Sequence, residues 1–183
     1  MTADPKEEIT QHLNALRAFS LSLTHNRSLA DDMVQDTIEK AWKNIDSFQP
    51  GTNMRAWLFT ILRNTFYSNR RRAVREVSDP DGFMVDQLSE KPAHDGRLQM
   101  NDFRTALAQL PDEQREVLLL VGACGYSYEE AADMCGTAVG TVKSRLNRGR
   151  ARLADLMDLD AGDPTEMTDA TTLSVLSQMA AAA

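Results

Sequence analysis

Two stretches of this chain carry Arg and Lys without a single acid among them. Residues 51–75 hold Arg55, Arg63, Arg70, Arg71, Arg72 and Arg75, a net +6, and residues 137–152 hold Lys143, Arg145, Arg148, Arg150 and Arg152, a net +5. The flanking stretches are acidic, at -3 for 1–50, -9 for 76–136 and -6 for 153–183, so the total of -7 conceals the segregation. Cations grouped in this way neutralise phosphates and release counterions. One basic run is explained equally well as a solvated helix face. Two of them in one acidic chain imply two separate anion-facing surfaces.

The second run has the pattern of a helix that reads a duplex. At about 100° per residue, Val139, Val142, Leu146 and Leu153 share an inward sector, and Lys143, Ser144, Asn147 and Arg148 form an outward arc of donors and acceptors for base edges. Thr141, Arg145 and Arg152 flank that arc, where a hydroxyl and two guanidinium groups suit phosphate oxygens. Upstream, Ser127-Tyr-Glu-Glu130 reads as a capping box opening a short helix, Gly136 as its stop, and Thr137 as the cap of the basic helix. Helix, glycine turn and basic helix make a helix-turn-helix.

The first run alternates Arg with aromatics. Arg55, Phe59, Arg63, Phe66 and Arg70 fall in one sector of a helix from Asn53 to about Arg72, while Met54, Trp57, Leu58, Ile61 and Thr65 face the core. The preceding loop, Phe48 to Asn53, is stiffened by Pro50 and loosened by Gly51. Guanidinium groups that track a backbone beside flat rings suit opened strands, with the loop as a pocket for an extruded base. Phe59 and Phe66 serve equally well as packing under a neighbouring element, and Trp42 and Trp57 are expected in the core.

The elements that must position these groups are helical. Ile9, Leu13, Leu16, Phe19 and Leu23 mark an amphipathic helix over 5–24, with His12 beside the stripe. Ser28 is the expected cap of a helix to about Asp46, whose apolar face is Leu29, Met33, Val34, Ile38, Ala41, Trp42 and Ile45. Its acidic face, Asp32, Gln35, Asp36 and Glu39, is by itself only a solvated surface. Breakers at Ser78–Gly82 and Glu90–Pro92 mark a linker over 77–97. Phe103, Leu107 and Leu110 resume the helical period, and Pro111 with Asp112 and Glu113 opens a helix with buried centre Val117–Val121. No stretch alternates as a strand does. The expected fold is all-α, with helical domains at 5–76 and 98–158 and an acidic, Ala-rich disordered tail at 159–183.

At 183 residues and 20.4 kDa, with 42% hydrophobic and 26% charged residues, the chain has the composition of one or two small globular domains. No nucleophile with a base, phosphate loop or paired catalytic carboxylates is legible, so the reading is not an enzyme. Cys124 and Cys135 lie in no metal-binding spacing and His12, His25 and His94 are scattered, so no metal or cofactor is expected. The two cysteines read as buried apolar residues. The acidic N-terminus is unlike a secretory signal, and no run is long enough to span a membrane, which places the expected location in the cytoplasm.

With these residues in view, the chain resembles bacterial RNA polymerase sigma factors of the extracytoplasmic-function type. The resemblance covers about residues 10–157. It lies in Ala30–Thr37 with Ala41-Trp42, Phe48–Arg72 with Trp57-Leu58 and Arg63-Asn64, Leu110-Pro111, Tyr126–Ala132, and Val139–Arg145 with Arg148 and Arg150. Leu119–Ala132 and Ala138–Arg152 are most similar to the subgroup that drives the general stress response in alphaproteobacteria.

The resemblance implies sigma region 2 at 5–76 and region 4 at 98–158. It implies that Asp32, Gln35, Asp36 and Glu39 meet the beta-prime clamp helices of core polymerase, and that region 4 meets its beta flap. Phe48, Gly51, Asn53, Arg55, Arg63, Asn64, Arg70 and Arg71 would take the minus-ten strand. Thr141, Lys143, Ser144, Arg145, Asn147, Arg148 and Arg152 would hold the minus-thirty-five duplex. A small anti-sigma protein is the implied regulator. A sigma-like decoy that sequesters an anti-sigma factor, or a stand-alone helix-turn-helix regulator, is the rival reading.

Overall fold

The computed structural model describes residues 5–77 and 95–157. Among them are eight α-helices and no strand: α1 Pro5–Gln11, α2 Leu13–Thr24, α3 Arg27–Lys43, α4 Met54–Val77, α5 Asp95–Ala108, α6 Asp112–Leu118, α7 Tyr128–Cys135 and α8 Val139–Leu156. A 3-10 turn, Ile45–Ser47, follows α3, and a π turn, Leu119–Ala123, follows α6. The all-α expectation holds. The proposed tail at 159–183 and most of the proposed linker lie outside the described residues.

Helices α1 to α4 form the first unit, with Ile9, Leu16, Phe19, Leu23, Met33, Ala41, Met54, Leu58, Phe59 and Leu62 fully or nearly fully buried. A hydrogen-bonded pair of guanidinium and carboxylate, Arg17 Nη2 to Asp31 Oδ2 at 2.8 Å, ties α2 to α3. The second unit packs α6 and α7 on α8 around Val117, Leu118, Leu120, Ala131, Met134, Val142, Leu146 and Leu153. Gly149 faces α6 there: a Cβ on it would stand 3.4 Å from both Gln114 Cβ and Leu118 Cδ1, in contact with that helix.

Several local expectations are corrected. The N-terminal helix is broken at His12, where φ is -100° and ψ 0°, so that Ile9 turns onto α4. Asn26, and not Ser28, caps α3, its side chain accepting from Leu29 N at 3.0 Å. His25 ends α2 in the left-handed region at φ 54° and leaves Asn26 extended, which is the backbone a cap needs. Thr137 does not cap α8: its amide donates to Ala132 O at 3.0 Å at the end of α7, and the extended residue that opens α8 is Ala138, which makes no side-chain cap bond. Asn53 caps α4 as expected, accepting from Ala56 N at 3.1 Å. The Ser127–Glu130 capping box forms in both directions, at 2.8 and 3.1 Å. Helix α4 runs on to Val77, past the end expected near Arg72, and α5 begins at Asp95.

Two aromatic expectations separate. Trp57 is part-buried against Phe48, with ring centroids 5.3 Å apart, but Trp42 is 53% exposed and Leu29 56% exposed. Ala30, Met33, Thr37 and Ala41 are the buried line of α3, and Trp42 lies one step past it, on the edge of the acidic face.

The two units are not separated. Phe59 stands between them, 4.7 Å from the ring of Phe19 and 6.0 Å, edge-on, from that of Tyr126. Arg115 of α6, 4% exposed, donates from Nε to Leu107 O at 2.9 Å, from Nη2 to Ala108 O and Leu110 O at 2.7 Å, and from Nη1 to Leu23 O of α2 at 3.2 Å. One guanidinium thus satisfies the carbonyls that end α5 and one that ends α2.

Candidate nucleic-acid interface

Helix α8 buries Val142, Leu146 and Leu153 and leaves Lys143, Asn147, Arg148 and Arg152 exposed, with Thr141, Ser144 and Arg145 half-buried between. The inward and outward sectors are therefore where the spacing put them, except that Val139 is only part-buried. The outward arc is organised by its own contacts. Ser144 Oγ donates to Thr141 O at 3.2 Å, and Arg148 lies back along the helix, donating from Nη2 to Ser144 Oγ at 3.0 Å and from Nε to Ser144 O at 3.3 Å. The Lys143 ammonium sits 5.5 Å from the centre of the Tyr128 ring on α7. Arg145 reaches Glu113 of α6 at 3.6 Å, which holds it to the flank.

The residues expected to take a single strand do not form one face. Phe48 is buried, and its loop turns at Gly51, where φ is 88° and a side chain would be strained; Thr52 Oγ1 donates to Gln49 O at 2.7 Å. Gly51 and Asn53 are exposed on that loop. Asn64 and Arg71, with Lys40, Asn44, Ser47, Trp57, Ile61, Thr65 and Ser68, line a cavity of about 480 Å³ between α3 and α4. Inside it Lys40 Nζ donates to Thr65 Oγ1 at 2.9 Å. This open groove combines two cations, amides, hydroxyls and an indole ring.

Arg55, Arg63 and Arg70 belong to the other sector of α4 and turn toward the second unit. Arg55 lies over Phe59 and Tyr126, 5.3 and 5.6 Å from the ring centres. Arg63 Nε meets Glu116 Oε1 at 2.5 Å and its guanidinium stacks 4.7 Å from the Tyr67 ring centre. Arg70 Nη1 meets Asp112 Oδ2 at 2.5 Å. Phe59 and Phe66 are buried beneath them. An alternating Arg/Phe stripe at spacings of four and three is the seam by which α4 packs on α6 and α7, and not an open aromatic platform. Glu116, 0% exposed, also accepts from Tyr67 Oη at 2.9 Å. Burial pushes its carboxyl pKa up, with Arg63 and the Tyr67 bond opposing.

Sequence reasoning missed Lys40, Asn44 and Ser68 in the cavity and Tyr67, Asp112, Arg115 and Glu116 at the seam. A signal for the last two was legible: Arg115 and Glu116 are charged residues abutting the apolar run that begins at Val117. The cysteines sit at the same seam, Cys135 buried and Cys124 part-buried. Burial pushes both thiols up, to about 12 and about 11, which disfavours the thiolate at each.

On α3, Asp32, Gln35, Asp36 and Glu39 all stand exposed on one face, flanked by Leu29 and Trp42. The hydrogen bond from Lys43 Nζ, at 2.5 Å, and the charge of that ammonium hold the Glu39 carboxyl below its usual range. No group of metal-ligating side chains occurs among the described residues, and no described helix is long and apolar enough to cross a membrane.

Comparison with known proteins agrees with this architecture. The model of sigma-70 region 2 matches residues 9–76 and that of sigma-70 region 4 matches residues 100–153. The extracytoplasmic-function sigma factor EcfG of Rhodopseudomonas palustris is 50% identical over 163 residues, covering 89% of this chain and 90% of its own. SigM of Bacillus subtilis is 31% identical over 162 residues, covering 86% and 98%. Among solved structures, the sigma factor RpoE of Bartonella quintana, determined in complex with the anti-sigma factor NepR, superposes with a TM-score of 0.76 at 50% identity, over 85% of this chain and 97% of that one. Two matched regions, an all-helical fold and full-length relatives lead to one assignment: the chain belongs to the extracytoplasmic-function sigma factors of the sigma-70 family of RNA polymerase.

Proposed function

We propose that the three exposed polar faces divide the labour of transcription initiation among them. Sigma factors are non-enzymatic initiation factors, so affinity and placement are the whole of the mechanism. The acidic face of α3, Asp32, Gln35, Asp36 and Glu39 with Trp42 and Leu29 at its edges, docks on the clamp helices of core polymerase. Helix α8 enters the major groove of the minus-thirty-five duplex, with Lys143, Ser144, Asn147 and Arg148 toward base edges and Thr141, Arg145 and Arg152 toward phosphates. The loop Phe48–Asn53 and the cavity lined by Lys40, Asn64 and Arg71 receive the minus-ten strand, with Arg55, Arg63 and Arg70 tracking its backbone once they are uncovered.

The observation that carries this reading is the arc on α8, which is exposed and polar directly over a buried apolar line. Two weak grips on one promoter, joined in one chain, reinforce each other through effective concentration, which suits an acidic protein. The likeness to EcfG and to the RpoE bound by NepR supports service in a stress response under a small anti-sigma protein. Such a subunit works in the cytoplasm. The test is run-off transcription: purified chain added to core polymerase is expected to start transcripts from promoters of the stress type. Binding to core with no initiation across a promoter panel would favour a decoy.

A further inference from the structure

Arg148 and Ser144, one turn apart on α8, are joined twice. Arg148 donates from Nη2 to Ser144 Oγ at 3.0 Å and from Nε to Ser144 O at 3.3 Å. The serine hydroxyl is itself aimed: its hydrogen goes to Thr141 O at 3.2 Å, which leaves its lone pairs to accept. Helix side chains lean toward the N-terminus, and the N-terminal half of the second helix of a helix-turn-helix is the half that enters the groove. Arg148 stands tenth in the 18-residue α8, so its guanidinium reaches that half only by lying back one turn, about 5.4 Å. The bonds to Ser144 hold it there. A guanidinium offers a side edge, Nε with Nη2, and an end edge, Nη1 with Nη2. Ser144 occupies the side edge and leaves the end edge, the fork that O6 and N7 of guanine accept.

We propose that Ser144 is a positioning residue: it stands in the outward arc but acts on the promoter through Arg148, fixing the guanidinium so that its end edge meets a guanine. The inference deepens the reading of α8 as the helix that enters the duplex, and rests on it. An arginine that is free in the unbound protein gives up rotamer freedom on binding, which weakens the complex by roughly two- to tenfold. A clasp formed beforehand has met part of that loss. Its acceptors are a hydroxyl and a carbonyl, so Arg148 keeps its full charge toward DNA; Arg145, on the flank, meets the Glu113 carboxylate instead. Serine also suits the place by size, lying half-buried beneath an exposed arginine.

The test uses the full chain assembled with core polymerase, on a promoter of the stress type and on versions of it with each base pair of the upstream element replaced in turn. Occupancy is measured for the unmodified protein, Ser144→Ala, Arg148→Ala and the double variant. Ser144→Ala is expected to weaken binding to the preferred promoter about threefold, to relax preference at the same base pair as Arg148→Ala, and to add nothing once Arg148 is alanine. Alanine favours a helix, so a thermal melt of the same proteins is expected to stay within a few degrees. Losses that add in the double variant overturn the clasp. They mean that the serine reads a base for itself if preference changes at a different base pair, and that it is merely structural if affinity falls on every promoter alike. No loss, or a gain, from Ser144→Ala while Arg148→Ala still shifts preference also overturns the clasp and leaves the docking of α8 standing. If Arg148→Ala shifts preference at no base pair, Arg148 does not read the duplex, and the clasp falls with that reading.

Discussion

Arg63 of α4 and Glu116 of α6 meet Nε to Oε1 at 2.5 Å, the arginine side chain 19% exposed and the glutamate 1%. A pair so deeply buried contributes more to the alignment of the two units than to net stability, because both ions lose their water to form it. Tyr67 and Cys135 complete its surroundings, and Arg145 adds a third charge within electrostatic range of the glutamate. The pair therefore marks where two family regions, each able to bury its own core, are held in one register.

Closure is expected to depend on pH through Glu116. Burial raises its carboxyl pKa in the docked state above the ordinary 4.5, so docking takes up protons in the range just above that value, and the seam tightens as pH falls through it. His25 acts the other way. Partial burial, then the charges of Arg115 and Arg104, lower it to about 4, so protonation below its ordinary 6.5 disfavours the packed state. The difference in radius of gyration between the unmodified chain and Glu116→Gln, followed from neutral pH toward 5, isolates the glutamate; an identical profile for both proteins rules it out.

Arg115→Ala is expected to destabilise the second unit by about 3 kcal/mol, since it abandons the carbonyls of Leu107, Ala108 and Leu110 in a buried site. Arg115→Lys should recover little, because an ammonium cannot span that fork of acceptors. Urea denaturation of the three proteins measures both numbers.

Arg148→Ala on α8 is expected to weaken binding of the upstream duplex by roughly 1–3 kcal/mol and to relax base preference at one position. Arg152→Ala should weaken binding evenly across sequences and make it less steeply dependent on salt. Holoenzyme competition on promoter variants separates the two. Unchanged preference and occupancy for Arg148→Ala would mean that α8 does not dock through this arc.

Asp36→Lys reverses a charge at the centre of the exposed α3 face and should lower affinity for core polymerase on the order of tenfold, chiefly through association rate. Trp42→Ala tests the apolar edge of the same face. Because Trp42 is half exposed, its loss should leave the melting temperature nearly unchanged while core affinity falls. Pull-down with core enzyme and a thermal melt on the same samples give both values.

Ser127→Ala removes the hydroxyl that accepts from Glu130 N and should cost about 1 kcal/mol, read from thermal unfolding.

Period and capping chemistry made much of the fold legible beforehand. The inward line Val142, Leu146 and Leu153, the capping box at Ser127 and the stop at Gly136 follow from local geometry, and all are present. Local geometry failed where a neighbour decided the outcome. Trp42 sits close enough to the apolar sector of α3 that spacing alone assigns it to the core, and only the placement of α4 leaves it outside. Thr137 is chemically a good cap, but α8 starts one residue later, so the cap position falls on Ala138.

The stripe on α4 draws the line most clearly. By itself the sequence determined that Arg55, Phe59, Arg63, Phe66 and Arg70 share one side of a helix, that Asn64 and Arg71 do not, and that the basic arc of α8 overlies an apolar seam, because each of these depends only on the helical repeat. Tertiary structure alone decided what that side of α4 meets. Glu116 and Asp112 come from a distant segment, and their pairing with Arg63 and Arg70 depends on how two rigid units dock, a balance of buried area against desolvated charge that no local pattern encodes.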